Sequence, residues 1–138
     1  MAVKTVYVGR HVLLPAQAQA IKVLGLELVE KIENLPTEQP ALNALIARLK
    51  SQGITAILTV ALPPHFLATL SSAFDVFVFE MKSTTMQNIT EAEKWVAENP
   101  SRRTYLPGRP GEPVRCLEFT GVNKVKVIVQ SERVYTVP

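Results

Sequence analysis

Two histidines and two cationic side chains follow the most apolar runs of this chain. Arg10 and His11 come directly after VKTVYVG, His65 comes soon after ITAILTV, and Lys82 follows FDVFVFEM. An arginine can hold a phosphate through parallel N–H groups, a lysine supplies a point charge, and a histidine exchanges protons near neutral pH. These residue types indicate binding of an anionic ligand and, at the histidines, acid–base chemistry.

Further candidate ligand contacts lie at the same strand ends. They are Gly9 and Thr59, together with the hydroxyl residues Ser83, Thr84 and Thr85 after Lys82, which suit ribose hydroxyls or phosphate oxygens. Each candidate also has a plain structural alternative. The first histidine could cap a helix, the second could be an ordinary surface residue, the arginine could lie over apolar surface, and KSTT could be a solvated loop.

The order of the predicted elements places these residues at one edge of a sheet. Runs rich in β-branched residues at 3–9, 54–60 and 74–81, and an alternating run at 26–32, predict four strands with helices between them. This β-α-β-α-β-α-β order is typical of an α/β fold with a mainly parallel sheet, here of about four strands with flanking helices. Ligands bind such sheets at the carboxyl ends of the strands, beside helix N-termini. The candidate residues therefore meet only if the strand at 54–60 runs parallel to the strand at 3–9.

The last quarter of the chain is basic and has a different pattern. Residues 1–100 carry eight Lys or Arg against nine Asp or Glu, whereas residues 101–138 carry seven against three. SRRTYLPGRPGEP at 101–113 predicts an irregular connection, and the β runs after it predict a C-terminal hairpin that turns at GVN, 121–123. We therefore expect one domain over 1–138, with an α/β core at 1–100 and a basic loop and hairpin at 101–138.

The basic connection leaves several roles open. Arg102, Arg103 and Arg109, with Tyr105 among them, could form a lid over a phosphate-bearing ligand. The same segment could be an arm that packs on a second subunit, or a plain connector. Mixtures of arginine and tyrosine also suit single-stranded nucleic acid.

Composition excludes several classes of function. The chain is 47% hydrophobic and 20% charged, which is ordinary for a globular protein, and its apolar runs are too short for a transmembrane helix. The N-terminal run lacks the pattern of a signal peptide, and the single cysteine, Cys116, suits a reducing, cytoplasmic compartment. No G-x-G-x-x-G or P-loop motif and no zinc pattern is present, so we expect no dinucleotide cofactor and no metal.

Two segments resemble a known group of proteins. VYVGRHVLLPAQAQAI, and ITAILTVALPPHFLATL followed by FDVFVFEM, are similar to small CRISPR-associated proteins of type III systems that are related to the CARF domain. The similarity covers about residues 5–25 and 54–81 and does not include the basic connection or the hairpin. It implies a Rossmann-like core at 1–100, a homodimer, a role in antiviral defence and binding of cyclic oligoadenylate.

The resemblance also implies a reaction. Some of these proteins cut the cyclic oligoadenylate without a metal, when a ribose 2′-hydroxyl attacks its neighbouring phosphate. Arg10 and Lys82 would then clamp phosphates, and His11 or His65 would be the acid or base. The alternative hypothesis is a non-catalytic accessory protein that binds a partner chain or nucleic acid through its basic C-terminal part. A third hypothesis, a hydrolase or transferase acting on a small phosphorylated compound, lacks a recognisable catalytic set.

Overall fold

The chain forms an α/β fold with one mixed sheet. The computed structural model describes residues 2–127 and 130–138, with the backbone alone at 126–127 and 130–131. Within these residues the strands are β1 (Val3–Val8), β2 (Leu26–Ile32), β3 (Ala56–Thr59), β4 (Asp75–Met86), β5 (Arg103–Leu106), β6 (Val114–Val127) and β7 (Gln130–Thr136). The helices are α1 (Pro15–Val23), α2 (Gln39–Ser51), α3 (Pro64–Ser71) and α4 (Ile89–Glu98).

The first four strands are adjacent and parallel, in the order β2-β1-β3-β4. β3 is buried along its whole length, as expected for an apolar run covered on both faces. The parallel pairing of β1 and β3, on which the predicted site depends, is confirmed: Val8 pairs with Thr59, and Thr59 pairs with Val78. The segments that follow β1 and β3 therefore leave the sheet at the same edge.

The prediction of a mainly parallel sheet of about four strands is wrong. β6 pairs antiparallel with β4, and both β5 and β7 pair antiparallel with β6, so the sheet of seven strands in the described part of the chain is mixed. β4 is the junction: it pairs with β3 over Asp75–Val78, whereas its antiparallel pairing with β6 spans Phe77–Met86. The half of β4 beyond the parallel sheet is therefore stabilised by β6.

Three sequence-based boundaries are corrected by this antiparallel part. The segment Lys82–Thr85 belongs to β4 and is not a loop, because β6 supplies its hydrogen-bonding partner. The connection predicted to be irregular over 101–113 contains β5. The predicted turn at 121–123 is also wrong, since β6 runs unbroken through these residues, and the link between β6 and β7 lies outside the described residues.

The two faces of the parallel sheet bury separate apolar clusters. Val6, Ile57 and Val76 face α2 and α3, which contribute Leu49 and Leu70. The opposite face packs against α1 and contains, besides Ala20, Ile21 and Leu26, the side chains of Leu58, Phe79, Phe119 and Val122. Phe79 and Phe119 meet edge to face with ring centroids 5.2 Å apart, which joins β4 to β6 where the sheet changes from parallel to antiparallel.

Gly121 is required by the close approach of β7. A Cβ at this position would overlap the backbone carbonyl of Tyr135 and lie 2.8 Å from a guanidinium nitrogen of Arg133. We predict that Gly121→Ala lowers the free energy of unfolding by about 1–3 kcal/mol, the usual cost of overpacking. Urea unfolding of the variant and the wild-type protein measures this difference, and equal midpoints would contradict the close packing of β6 against β7.

Candidate functional site

A cleft lies at the carboxyl ends of β1 and β3. It has a volume of about 410 Å³ and is bordered by Gly9, Arg10 and His11 after β1, and by Thr59 and the residues that follow it. Parallel α/β sheets bind ligands at this edge. The structure thus brings four of the sequence-predicted site residues to one cleft.

Arg10 is held over this cleft from the end of β2. Its Nη2 donates a hydrogen bond of 2.6 Å to Oδ1 of Asn34, and Nζ of Lys31 lies 3.4 Å from its carbonyl oxygen. The amide of Asn34 is neutral, so this hydrogen bond orients the guanidinium without compensating its charge. The guanidinium has further N–H groups that can donate to a ligand. The acidic residue Glu33 also lines the cleft.

His11 borders both the cleft and the neighbouring cavities, as does Val60. Its side chain is exposed and lines the cleft beside Arg10, and it also borders two cavities toward the antiparallel strands. The first of these lies beside Leu106 and Leu117, and the second reaches Glu80 and Arg115. An exposed imidazole at this junction can exchange a proton with a ligand in any of the three.

His65 and the hydroxyl segment are not brought to the same place. His65 is in the first turn of α3, and its exposed ring lies on Phe66, with 4.2 Å between ring centroids. Phe66 lines the cleft, whereas His65 is not part of its lining. Lys82, Ser83, Thr84 and Thr85 lie in β4, where successive side chains point to opposite faces of the sheet. They therefore cannot form one cluster of ligand contacts.

Thr59 has a structural hydrogen bond. Its side chain is 1% exposed, and Oγ1 donates a hydrogen bond of 2.8 Å to the carbonyl oxygen of Val8. This bond joins the ends of β1 and β3 and uses the only proton of the hydroxyl group. Thr59 fixes the spacing of the two strands that form the cleft.

The residues predicted to form a lid are mostly held in place. Arg102 pairs with Glu118 (Nε–Oε2 3.1 Å), and Arg103 pairs with the same carboxylate (Nε–Oε2 3.4 Å) and lies 4.5 Å from the ring centroid of Trp95. The hydroxyl of Tyr105 donates a hydrogen bond of 3.3 Å to the carboxylate of Glu93 in α4. These three side chains are therefore anchored to structured parts of the chain, and only Arg109 lies on the exposed connection between β5 and β6.

The N-terminus of α1 is largely occupied by the protein itself. The N–H of Ala16 donates a hydrogen bond of 2.8 Å to the carbonyl oxygen of Ser101. The N–H of Leu14 donates one of 2.8 Å to Oε1 of Gln17. α3 begins after Pro63 and at Pro64, which have no N–H group. The helix starts therefore offer a ligand fewer donors than the sequence led us to expect.

Sequence reasoning missed two buried polar residues beside the site. Tyr7 is 3% exposed, and its hydroxyl has no hydrogen-bond partner among the described residues; burial raises the pKa of this phenol. A Cβ at Gly9 would lie 3.0 Å from that hydroxyl. Gln17 is 4% exposed and precedes the buried Ala20 and Ile21 by three and four residues. That helical spacing was a signal that could have identified Gln17 as facing the core.

Glu80 is fixed by hydrogen bonds from β6 and β7. Its Oε1 accepts hydrogen bonds of 2.7 Å from Thr120 Oγ1 and of 2.6 Å from a guanidinium nitrogen of Arg133. Asn123 donates a hydrogen bond of 3.4 Å to Oε2. The hydrogen bond from Thr120, followed by that from Arg133, lowers the pKa of the Glu80 carboxyl. These contacts make Glu80 a structural link between three strands.

Comparison with known proteins gave no assignment: no protein-family model, no curated protein and no solved structure matches this chain significantly. Among the described helices, none is long and apolar enough to cross a membrane. In the described part of the chain, no three His, Cys, Asp or Glu side chains are grouped so that they could hold a metal ion.

Glu80 makes the stability of the fold depend on pH in the acidic range. Because its pKa is lowered on folding, its contribution is complete above the ordinary glutamate pKa of about 4.3 and is lost as the pH falls through the lowered value. We predict that Glu80→Gln and Arg133→Gln both reduce the loss of stability between pH 7 and pH 3. Urea midpoints at the two pH values test this, and an acid-induced decrease as large as that of the wild-type protein in both variants would contradict it.

Proposed function

We propose that this protein binds a phosphate-bearing nucleotide ligand in the cleft at the carboxyl ends of β1 and β3. The observation that carries the proposal is the placement of Arg10 and His11 together in this cleft, beside the end of a parallel strand pair. Arg10 would contact a phosphate, because its guanidinium is held by a neutral amide and retains N–H groups for a second partner.

The resemblance of the β1–α1 and β3–α3 segments to CARF-related proteins supports a more specific form of the proposal. The ligand would be a cyclic oligoadenylate, and the protein would be a cytoplasmic, Rossmann-like homodimer. Two copies of the cleft would then face a ligand that has its own approximate twofold symmetry.

In a cleavage reaction, His11 would transfer the proton. The 2′-hydroxyl oxygen of one ribose would attack the adjacent phosphorus, while a base removes the hydroxyl proton. The bond from phosphorus to the 5′-oxygen would break, and that oxygen would gain a proton. The products would be a 2′,3′-cyclic phosphate and a free 5′-hydroxyl. The exposed imidazole of His11 in the cleft is suited to the proton transfer, and Arg10 to the charge on the phosphate.

The second hypothesis, a partner or nucleic acid bound through the basic C-terminal part, has less support from the contacts. Arg102 and Arg103 share the carboxylate of Glu118, and Arg103 also lies 3.4 Å from Glu98. Much of the local positive charge is therefore compensated within the chain. The contacts favour the cleft as the ligand site.

Titration with cyclic and linear oligoadenylates tests the binding proposal. We expect the wild-type protein to bind a cyclic oligoadenylate and Arg10→Ala to bind it on the order of tenfold more weakly, the loss expected for a hydrogen bond to a charged group. Arg109→Ala, which removes an equal charge from the exposed connection, is the matched control and should bind as the wild type does. Absence of binding to every oligoadenylate, or equal affinities for Arg10→Ala and wild type, would contradict the proposal.

The roles of the two histidines can be separated by a cleavage assay. We expect the wild-type protein to open a cyclic oligoadenylate in the presence of a chelator, and His11→Ala to lower the rate about 10²–10⁴-fold. His65→Ala should change it little, because His65 does not line the cleft. No cleavage by the wild-type protein would contradict the catalytic part of the proposal. A large loss of rate in His65→Ala, with none in His11→Ala, would show that the proposal names the wrong histidine.

A further inference from the structure

A second cavity lies next to the cleft, between the β1–α1 connection and the antiparallel strands. It has a volume of about 240 Å³ and meets the cleft at His11, which lines both. Its walls are mainly apolar and are formed by Leu13, Leu14, Val60, Met81, Leu106 and Leu117. Cavities for drug-sized molecules begin at about 300 Å³. The size and the apolar walls are therefore suited to one flat ring system of a larger ligand.

Gln17 supplies this cavity with a buried amide. Its side chain is 4% exposed and lines the cavity. Oε1 accepts the hydrogen bond from the N–H of Leu14, and the contact of Nε2 is with Sδ of Met81, 3.5 Å away. A thioether sulfur is a weak acceptor, and a carbonyl oxygen can accept a second hydrogen bond. The buried amide therefore has unused capacity both to donate and to accept.

This amide is complementary in hydrogen bonding to one edge of adenine. Glutamine pairs with adenine by donating to N7 and accepting from the N6 amino group. Guanine and hypoxanthine carry an acceptor, O6, where adenine carries that amino group, so one of the two bonds would be replaced by a repulsive pair of acceptors. Met81 is flexible and polarisable, and it can shift to contact the ring when Nε2 turns to N7.

We infer that the cavity beside Gln17 is the base subsite of this protein and that the Gln17 amide selects adenine through N6 and N7. The inference rests on the proposed function because the phosphate of the same ligand would reach Arg10 across His11. It adds a residue that determines specificity and a location for the base. It also assigns a role to the antiparallel strands, since Met81, Leu106 and Leu117 form one wall of the subsite.

A series of nucleotides tests the inference on the unaltered protein. Calorimetric titrations would use adenosine 5′-monophosphate, its 7-deaza analogue, inosine 5′-monophosphate and ribose 5-phosphate. We expect the adenine nucleotide to bind most tightly, with the 7-deaza and inosine nucleotides roughly tenfold or more weaker. Equal affinities for these three nucleotides, or no binding of adenosine 5′-monophosphate, would overturn the inference.

Variants of α1 test the residue itself. Gln17→Glu keeps an acceptor for the N–H of Leu14 but removes the donor to N7, and Gln17→Met removes both groups at similar volume. Gln17→Met should lose the preference for adenosine over inosine 5′-monophosphate. Gln17→Glu can still accept from N6, so it should instead lose the preference for adenosine 5′-monophosphate over its 7-deaza analogue. Gln19→Glu, an exposed position on the same helix, should keep both preferences. A folded Gln17→Met that keeps the preference over the inosine nucleotide, or a folded Gln17→Glu that keeps the preference over the 7-deaza analogue, would contradict the assignment, and circular dichroism establishes folding.

Failure of the base subsite can be distinguished from failure of the phosphate site. If the purine nucleotides and ribose 5-phosphate bind equally and Arg10→Ala weakens all of them, the phosphate site stands and the base subsite is wrong. If adenosine without a phosphate binds as tightly as its 5′-monophosphate and Arg10→Ala has no effect, the base subsite stands and the phosphate site is wrong.

Discussion

The antiparallel pairing of β4 with β6 is the interaction on which the rest of this structure depends. β4 begins as the fourth strand of a parallel sheet and continues through Met86, past the residues paired with β3. A strand that projects from its sheet needs a new partner for its backbone N–H and C=O groups. β6 provides that partner along Phe77–Met86, and β5 and β7 then pair with β6. This extension places a β wall beside the carboxyl edge of the parallel strands.

The projecting strands are stabilised from their other face by α4. Ala92 packs with Val114 and Cys116, and Met86, Trp95 and Tyr105 surround this small cluster. Arg103 lies over the indole ring of Trp95 and donates a hydrogen bond of 2.9 Å to the backbone carbonyl oxygen of Trp95. These contacts link β5 to α4. Burial raises the pKa of the Cys116 thiol, consistent with a role in packing. The side of these strands that faces the β1–α1 connection is thereby left to line cavities.

The sequence predicted the parallel half because its signals are local. Continuous apolar runs and amphipathic helices alternate from Val3 to Phe79, and each element is identified by its own periodicity. The position of Arg10 and His11 at the sheet edge followed from that order. Strands that are polar on both faces carry no such signal. KSTT is typical of a solvated loop, although threonine is favoured in strands, because the segment is exposed on both faces. Gly121 similarly indicated a turn, but the glycine is there because β7 approaches closely.

The charges of the last quarter of the chain could not be interpreted from composition. Arg102 and Arg103 lie close to Glu118 only because β5 pairs with β6, which brings together residues distant in sequence. The same limitation hid the cavity beside Gln17, whose walls come from β4, β5, β6, the β1–α1 connection and Val60, which directly follows β3. Gln17 itself was detectable from its helical spacing to Ala20 and Ile21, but its contact with Met81 was not.

The central claim is that the cleft at Arg10 and the cavity at Gln17, which meet at His11, form one ligand site. Mapping of amide chemical-shift changes by NMR during titration with adenosine 5′-monophosphate tests it most directly. We expect the largest changes over residues 9–17, at Asn34 and on the cavity-lining parts of β5 and β6, with small changes in α4. Changes confined to α4 and the connection at 107–113, or to only one of the two cavities, would contradict the claim.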